Sequence, residues 1–278
     1  MSLGTVGAAA DELPNRPSAL IFGPTRSALW SGLYVGINGG GGWANSSVNY
    51  FANDVAAQAG TCGGAGKPAG QCIPSTDFNL HGGTAGGQIG YDWQFTEIWL
   101  AGVVADYQWA DFSSGGISAF RLGNVGGTDM FGNEKVESFG TVRARMGAIV
   151  ATSVLFYGTT GFAYGQVKET FNVPNPNVAA AVPESTGGFS YSCPNGGAPC
   201  FLGSTSKSEF GWTIGGGGEY RITNNISFAV EVLYVEFGSP LGTATAQTTV
   251  AGTTPSSFSA TFPDVRLMVA RGGLNFRF

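Results

Sequence analysis

The chain has 278 residues, 46 of them glycine and 20 phenylalanine; only 11% are charged, and the net charge is −5. So few charges leave a water-soluble globule short of polar cover, whereas a protein ringed by lipid needs none around its waist. The acidic balance excludes a nucleic-acid partner, and no apolar run reaches the roughly 18 residues of a membrane helix.

The first segment, "LGTVGAAADELPNRP", has small residues at Ala8 and Ala10 that fit the end of a secretory signal. Residues 1–10 are therefore expected to be a signal remnant or an artificial start, outside the fold. Beyond them, alternation of apolar and polar residues recurs eight times, at about 32–49, 82–95, 98–111, 137–151, 153–171, 207–222, 225–237 and 265–278. Each run is long enough to cross a bilayer as a tilted strand, which takes about 9–11 residues.

Short and long connections alternate. Thr96-Glu97, the neighbourhood of Thr152, and Thr223 to Asn225 predict tight turns, while 50–81, 112–136, 172–206 and 238–264 are rich in Gly, Ser, Thr, Asn and Pro and read as long loops. In an antiparallel meander, all turns then lie at one end and all loops at the other. The expected fold is all-β, an eight-stranded antiparallel transmembrane up-and-down β-barrel with four long extracellular loops and short periplasmic turns. Residues 11–29 are then a periplasmic N-terminal segment and 30–278 the barrel. A soluble β-sandwich accounts for the alternation but not for the turn asymmetry.

One face of the strands is free of charge: Leu33, Val35 and Ile37, Tyr91 and Trp93, Val142 and Met146, Phe210 and Trp212, Phe228 and Val230, and Leu274, Phe276 and Phe278 are examples. Facing lipid, these side chains need no interior. The opposite face carries Asp92, Asp106, Arg143, Arg145, Glu219, Arg221, Glu231 and Arg271, four acids against four bases. An eight-stranded barrel has room inside only for its own side chains, so a salt-bridged plug is expected in place of an open pore. Arg221 and Arg277 read as hydrated residues near the strand ends. Trp43 and Trp109 toward the loops, and Trp30, Trp93, Phe95, Trp99, Phe276 and Phe278 toward the turns, predict two interfacial girdles.

The cysteines fall in two polar stretches, Cys62 with Cys72 and Cys193 with Cys200 ("CPNGGAPC"), candidates for disulfides in an oxidising compartment. Neither pair has zinc spacing, and the sole histidine is His81, so no metal, cofactor or catalytic set is expected. The glycine runs "GINGGGGW" and "IGGGGEY" carry no Walker lysine.

The stretches "WSGLYVGINGGGGW", "GGTAGGQIGYDWQF", "LAGVVADYQWADF", "FGTVRARMGAIV", "GTTGFAYGQV", "FGWTIGGGGEYRI", "EVLYVEFG" and "VARGGLNFRF" together resemble the porin-family outer-membrane β-barrels of alphaproteobacteria, including the immunogenic outer-membrane proteins of Brucella and the rhizobia. The resemblance covers the eight strands in order and not the loops. It implies insertion by the outer-membrane assembly machinery, with Phe276 and Phe278 of the closing strand as its recognition signal. Val104 departs from the family, which often has an acid there. The function expected is a structural, surface-exposed barrel in outer-membrane lipid, serving envelope integrity and surface contacts. A narrow porin, or loops that bind a ligand or neighbouring barrels, are the alternatives.

Overall fold

The structure, a computed structural model, describes residues 28–62, 75–122, 125–174, 184–193, 199–238, 241–261 and 265–278; the expected signal remnant and most of the segment before the barrel lie outside them. After a 3-10 turn at Ala28–Trp30 come β1 (Gly32–Ala52), α1 (Val55–Cys62), β2 (Thr76–Gln94), β3 (Trp99–Leu122), β4 (Val125–Ala151) and β5 (Val154–Pro174). The short β6 (Glu184–Thr186) and β7 (Phe189–Tyr191) precede β8 (Pro199–Arg221), β9 (Ile226–Phe237), β10 (Leu241–Ala246), β11 (Thr254–Pro255), β12 (Ser257–Thr261) and β13 (Val265–Arg277).

The main sheet is antiparallel and closes, because β1 pairs with β2 on one side and β13 on the other. The ring is β1-β2-β3-β4-β5-β8-β9-β13, with β10 and β12 forming the loop-end part of the last two walls. The fold is thus the expected eight-stranded barrel. Closure satisfies every strand edge internally, which is what a sheet needs in a medium without water.

Tight turns join β2 to β3, β4 to β5 and β8 to β9. Two of them are built on threonine: Thr96 Oγ1 accepts from the backbone N–H of Ile98 and Trp99, and Thr223 Oγ1 from those of Asn225 and Ile226. At the other end the strands run much further than the alternation alone indicated. The expected loop at 112–136 is instead mostly a continuation of the β3–β4 hairpin, paired from Phe112–Val136 out to Leu122–Val125. Similarly β5 and β8 stay paired out to Val173–Phe201.

The uncharged face points outward, with Ile37, Trp93, Trp109, Val142, Phe162, Phe210, Tyr220 and Val230 all exposed. Trp43 and Trp109 stand at the loop-side border of this band; Trp93, Phe95, Trp99, Phe276 and Phe278 stand at the turn side. Trp30 is a correction: it is 1% exposed and packs inside the turn end with Leu100 and Leu155. The 3-10 turn folds it under the barrel, where it forms a floor instead of part of a girdle.

Past Trp109 the two faces exchange character. Outside, Asp111 and Lys135 form an exposed ion pair of 3.1 Å, and Gln166 and Lys168 are exposed. Inside, Val48, Tyr50, Val136, Val167, Phe171, Val173, Phe201 and Phe258 make a continuous apolar core. The lower barrel is apolar outside and polar inside, and the upper barrel is the reverse. A bulge at Glu137, between the paired residues Val136 and Ser138, helps set the new facing of β4. Below it Arg143 and Thr141 are buried; above it Val136 and Glu134 are.

Above the core lie α1 and a small sheet of β6, β7 and β11. The Cys193–Cys200 disulfide fastens the end of β7 to the start of β8, and both cysteines are buried in the core. Cys62 closes α1, and Cys72 lies outside the described residues.

Candidate functional site

Strand pleat sends alternate residues of the lower barrel inward, and the charged ones gather in two tiers. In the upper tier Arg143 of β4 reaches Asp106 of β3 at 2.8 Å and Glu231 of β9 at 2.5 Å. Arg271 of β13 reaches the same two acids, at 3.1 and 2.7 Å. The four side chains close a ring in which charge alternates and every acid bridges two arginines. Thr141 donates to Asp106 at 2.6 Å, while Arg143 donates to Thr141 and Thr159, both at 2.9 Å.

The lower tier repeats the arrangement. Arg145 contacts Asp92 at 3.2 Å and also Glu219; Arg277 contacts Asp92 at 2.9 Å and Glu219 at 3.9 Å. Ser227 and Asn275 donate to Glu219 at 2.5 and 3.2 Å. Arg145 donates to the Tyr34 hydroxyl at 3.1 Å, and its guanidinium lies 3.8 Å from the centre of the Tyr157 ring. Arg277 also donates to the Trp30 carbonyl, tying the tier to the floor.

Seven of these eight charged residues, Asp92, Asp106, Arg143, Arg145, Glu219, Glu231 and Arg271, are those the alternation sent inward. The eighth is a correction. Arg277 was expected to be hydrated but is 5% exposed, because the 3-10 turn covers the barrel mouth beneath it. Arg221, the other arginine expected to be hydrated, is also largely covered; it donates to the Leu29 carbonyl and lies over the Trp30 ring. The neutral partners Tyr34, Thr141, Thr159, Ser227 and Asn275 were missed, although each continues the inward register of its strand.

Val104, opposite Arg143 in the β3–β4 ladder, is buried between the tiers. Free space there is about 10 Å³, bounded by Val104, Tyr34, Gln88, Arg143, Arg145, Tyr157 and neighbours, enough for about one water. Two charge rings, the Trp30 floor and the apolar upper core therefore stand in series along the barrel axis. His81 is exposed, paired through the ladder with Trp43 on one side and Ser113 on the other, and faces away from the interior.

The chain matches a family model described as the outer membrane protein beta-barrel domain over residues 5–278. The 31 kDa outer-membrane immunogenic protein of Brucella melitensis is 32% identical over 236 residues, spanning 84% of this chain and 82% of that protein. A 22 kDa outer membrane protein of Rhizobium leguminosarum bv. viciae is 30% identical over 158 residues, 55% of this chain and 53% of that one. Among solved structures, OprG of Pseudomonas aeruginosa covers 89% of this chain and 97% of its own, at 12% identity and a TM-score of 0.42. Ail of Yersinia pestis covers 89% and 99%, at 14% identity and a TM-score of 0.33.

Proposed function

Because the chain belongs to the family of outer membrane protein β-barrel domains, we propose that it serves the outer membrane as a closed, structural barrel that presents its loop end to the outside. Its loops are then extracellular and both termini periplasmic. The reading rests chiefly on the two stacked charge rings. Each removes the water-filled path a porin needs, and neither leaves a free charge that would draw a solute inward. The aromatic closing strand is suited to recognition by the assembly machinery: Phe276 and Phe278 stack edge to face at 5.1 Å on the outer surface. Envelope integrity and surface contact follow from a rigid, sealed wall with a disulfide-fastened cap. We assign no catalytic role.

The test is conductance. The refolded chain, once heat-modifiable gel mobility confirms a barrel, is expected to insert into planar bilayers and remain electrically silent. Discrete, stable openings would replace this reading with that of a narrow porin.

A further inference from the structure

Of the buried acidic residues among the described ones, two take no part in either ring. Glu134 of β4 and Glu169 of β5 are direct cross-strand partners, both fully buried within the upper core. They lie beyond the aromatic border: Glu134 is four residues past Ser138, the ladder partner of Trp109, or about 13 Å of strand. Side chains directly opposite each other on one face of a sheet approach within about 5 Å at Cβ. None of the four carboxylate oxygens has a hydrogen-bond partner. Two ionised carboxylates in such surroundings would repel each other without hydration or a counter-ion.

The groups that face the pair do not supply one. From β1, the Ser46 hydroxyl lies toward Glu134 and favours its charged form. From β8, Lys207 and Glu209 act on Glu169 with opposite sign, and the Lys207 ammonium is engaged at 2.9 Å by the Leu241 carbonyl. From β10, the backbone of Gly242 approaches; a methyl there would sit 3.2 Å from Glu169 Oε2. Lys135, beside Glu134 in sequence, is turned outward to Asp111.

We propose that Glu134 and Glu169 form a proton-binding pair that latches the loop-end half of the barrel. With both carboxylates protonated, the pair is neutral and fits the apolar core, and the upper walls stay closed. With both carboxylates ionised, repulsion and the demand for water loosen the walls there. The surroundings act in the same direction: burial pushes Glu134 up to about 7, and burial followed by its acidic neighbour pushes Glu169 up to about 8. Both carboxylates thus bind protons more tightly folded than unfolded. Their contribution to stability is complete below the ordinary glutamate range and is lost as pH rises through about 7 to 8. This inference rests on the upper core alone and does not depend on the conductance reading.

The experiment uses the full refolded chain in lipid vesicles. An infrared titration is expected to reveal protonated carboxyl groups that persist above the ordinary glutamate range and disappear with an apparent midpoint between about 7 and 8. That signal should be absent from the Glu134→Gln/Glu169→Gln variant, in which neutral amides take the place of the protonated acids. Hydrogen exchange of the loop-end β4 and β5 amides, corrected for the intrinsic pH effect, should quicken up to about a hundredfold per pH unit in the approach to that midpoint, the limit for two protons released on opening. In the variant the corrected rates should be flat. A wild-type signal that titrates in the ordinary carboxylate range would overturn the proposal, whether or not the variant folds. So would a pH response retained by the folded variant. A protonated-carboxyl signal abolished at neutral pH by millimolar calcium would instead assign the pair to a metal ion and equally reject the latch.

Discussion

Arg143 bridges Asp106 and Glu231 with almost no exposure to solvent. Arg143→Met leaves two acids with one partner between them, and breaking a buried ion pair from one side costs about 3–5 kcal/mol. The urea midpoint of the refolded barrel should fall accordingly; a loss below about 1 kcal/mol would mean that the rings are dispensable. Lys135→Met, which removes an exposed ion pair, should stay within about 1 kcal/mol of wild type. Arg277→Met should behave like the ring variants despite its place near a strand end. The sequence contained its direction, since Arg277 shares the register of Arg271 and Asn275. It did not contain its burial, because nothing in the alternation indicates that residues 28–30 fold beneath the barrel. Glu134 was concealed differently. Counting alternate residues from Arg143 places Lys135 inside and Glu134 outside, and the bulge at Glu137 reverses both.

At the scale of the strand, glycines divide by the face they occupy. A methyl on Gly40, which faces inward, would come within 2.1 Å of the Ala270 carbonyl oxygen, and one on Gly161 within 2.1 Å of that of Val142. These contacts are with backbone that cannot swing aside, so Gly40→Ala should abolish the heat-modifiable folded form. Gly39→Ala, whose methyl would find its nearest neighbour at 3.5 Å, should fold with a change of about 0.5 kcal/mol or less. The eight strands and their turns were legible because the outer face alternates in lipid without interruption. Their upper halves were not, because there the apolar residues move to the inside and the polar outer face resembles loop composition. The change was nonetheless written in β13, whose inward register begins Val265, Leu267, Val269 before it reaches Arg271. For the cap, reduction of Cys193–Cys200 should increase proteolysis around β6 and β7 while leaving the heat-modifiable barrel intact, since the ring ladders do not pass through that bond.

The molecule as a whole is two barrels stacked end to end on shared strands, one solvated by lipid and one by water. Removing the upper ring's crossing pair, as in Arg143→Ala/Glu231→Ala, takes away matched charge and opens space at the same level. Any conductance gained should remain small, because the Trp30 floor and the upper core still close the axis on either side. The reversal of faces beyond Trp109 also fixes the barrel's depth. If it sank toward the turn side, Lys135, Glu137 and Lys168 would be drawn into hydrocarbon; if it rose, Val142, Phe162 and Phe210 would be lifted into water. Displacement in either direction is opposed, so the protein rides at one height like a float with its waterline painted on.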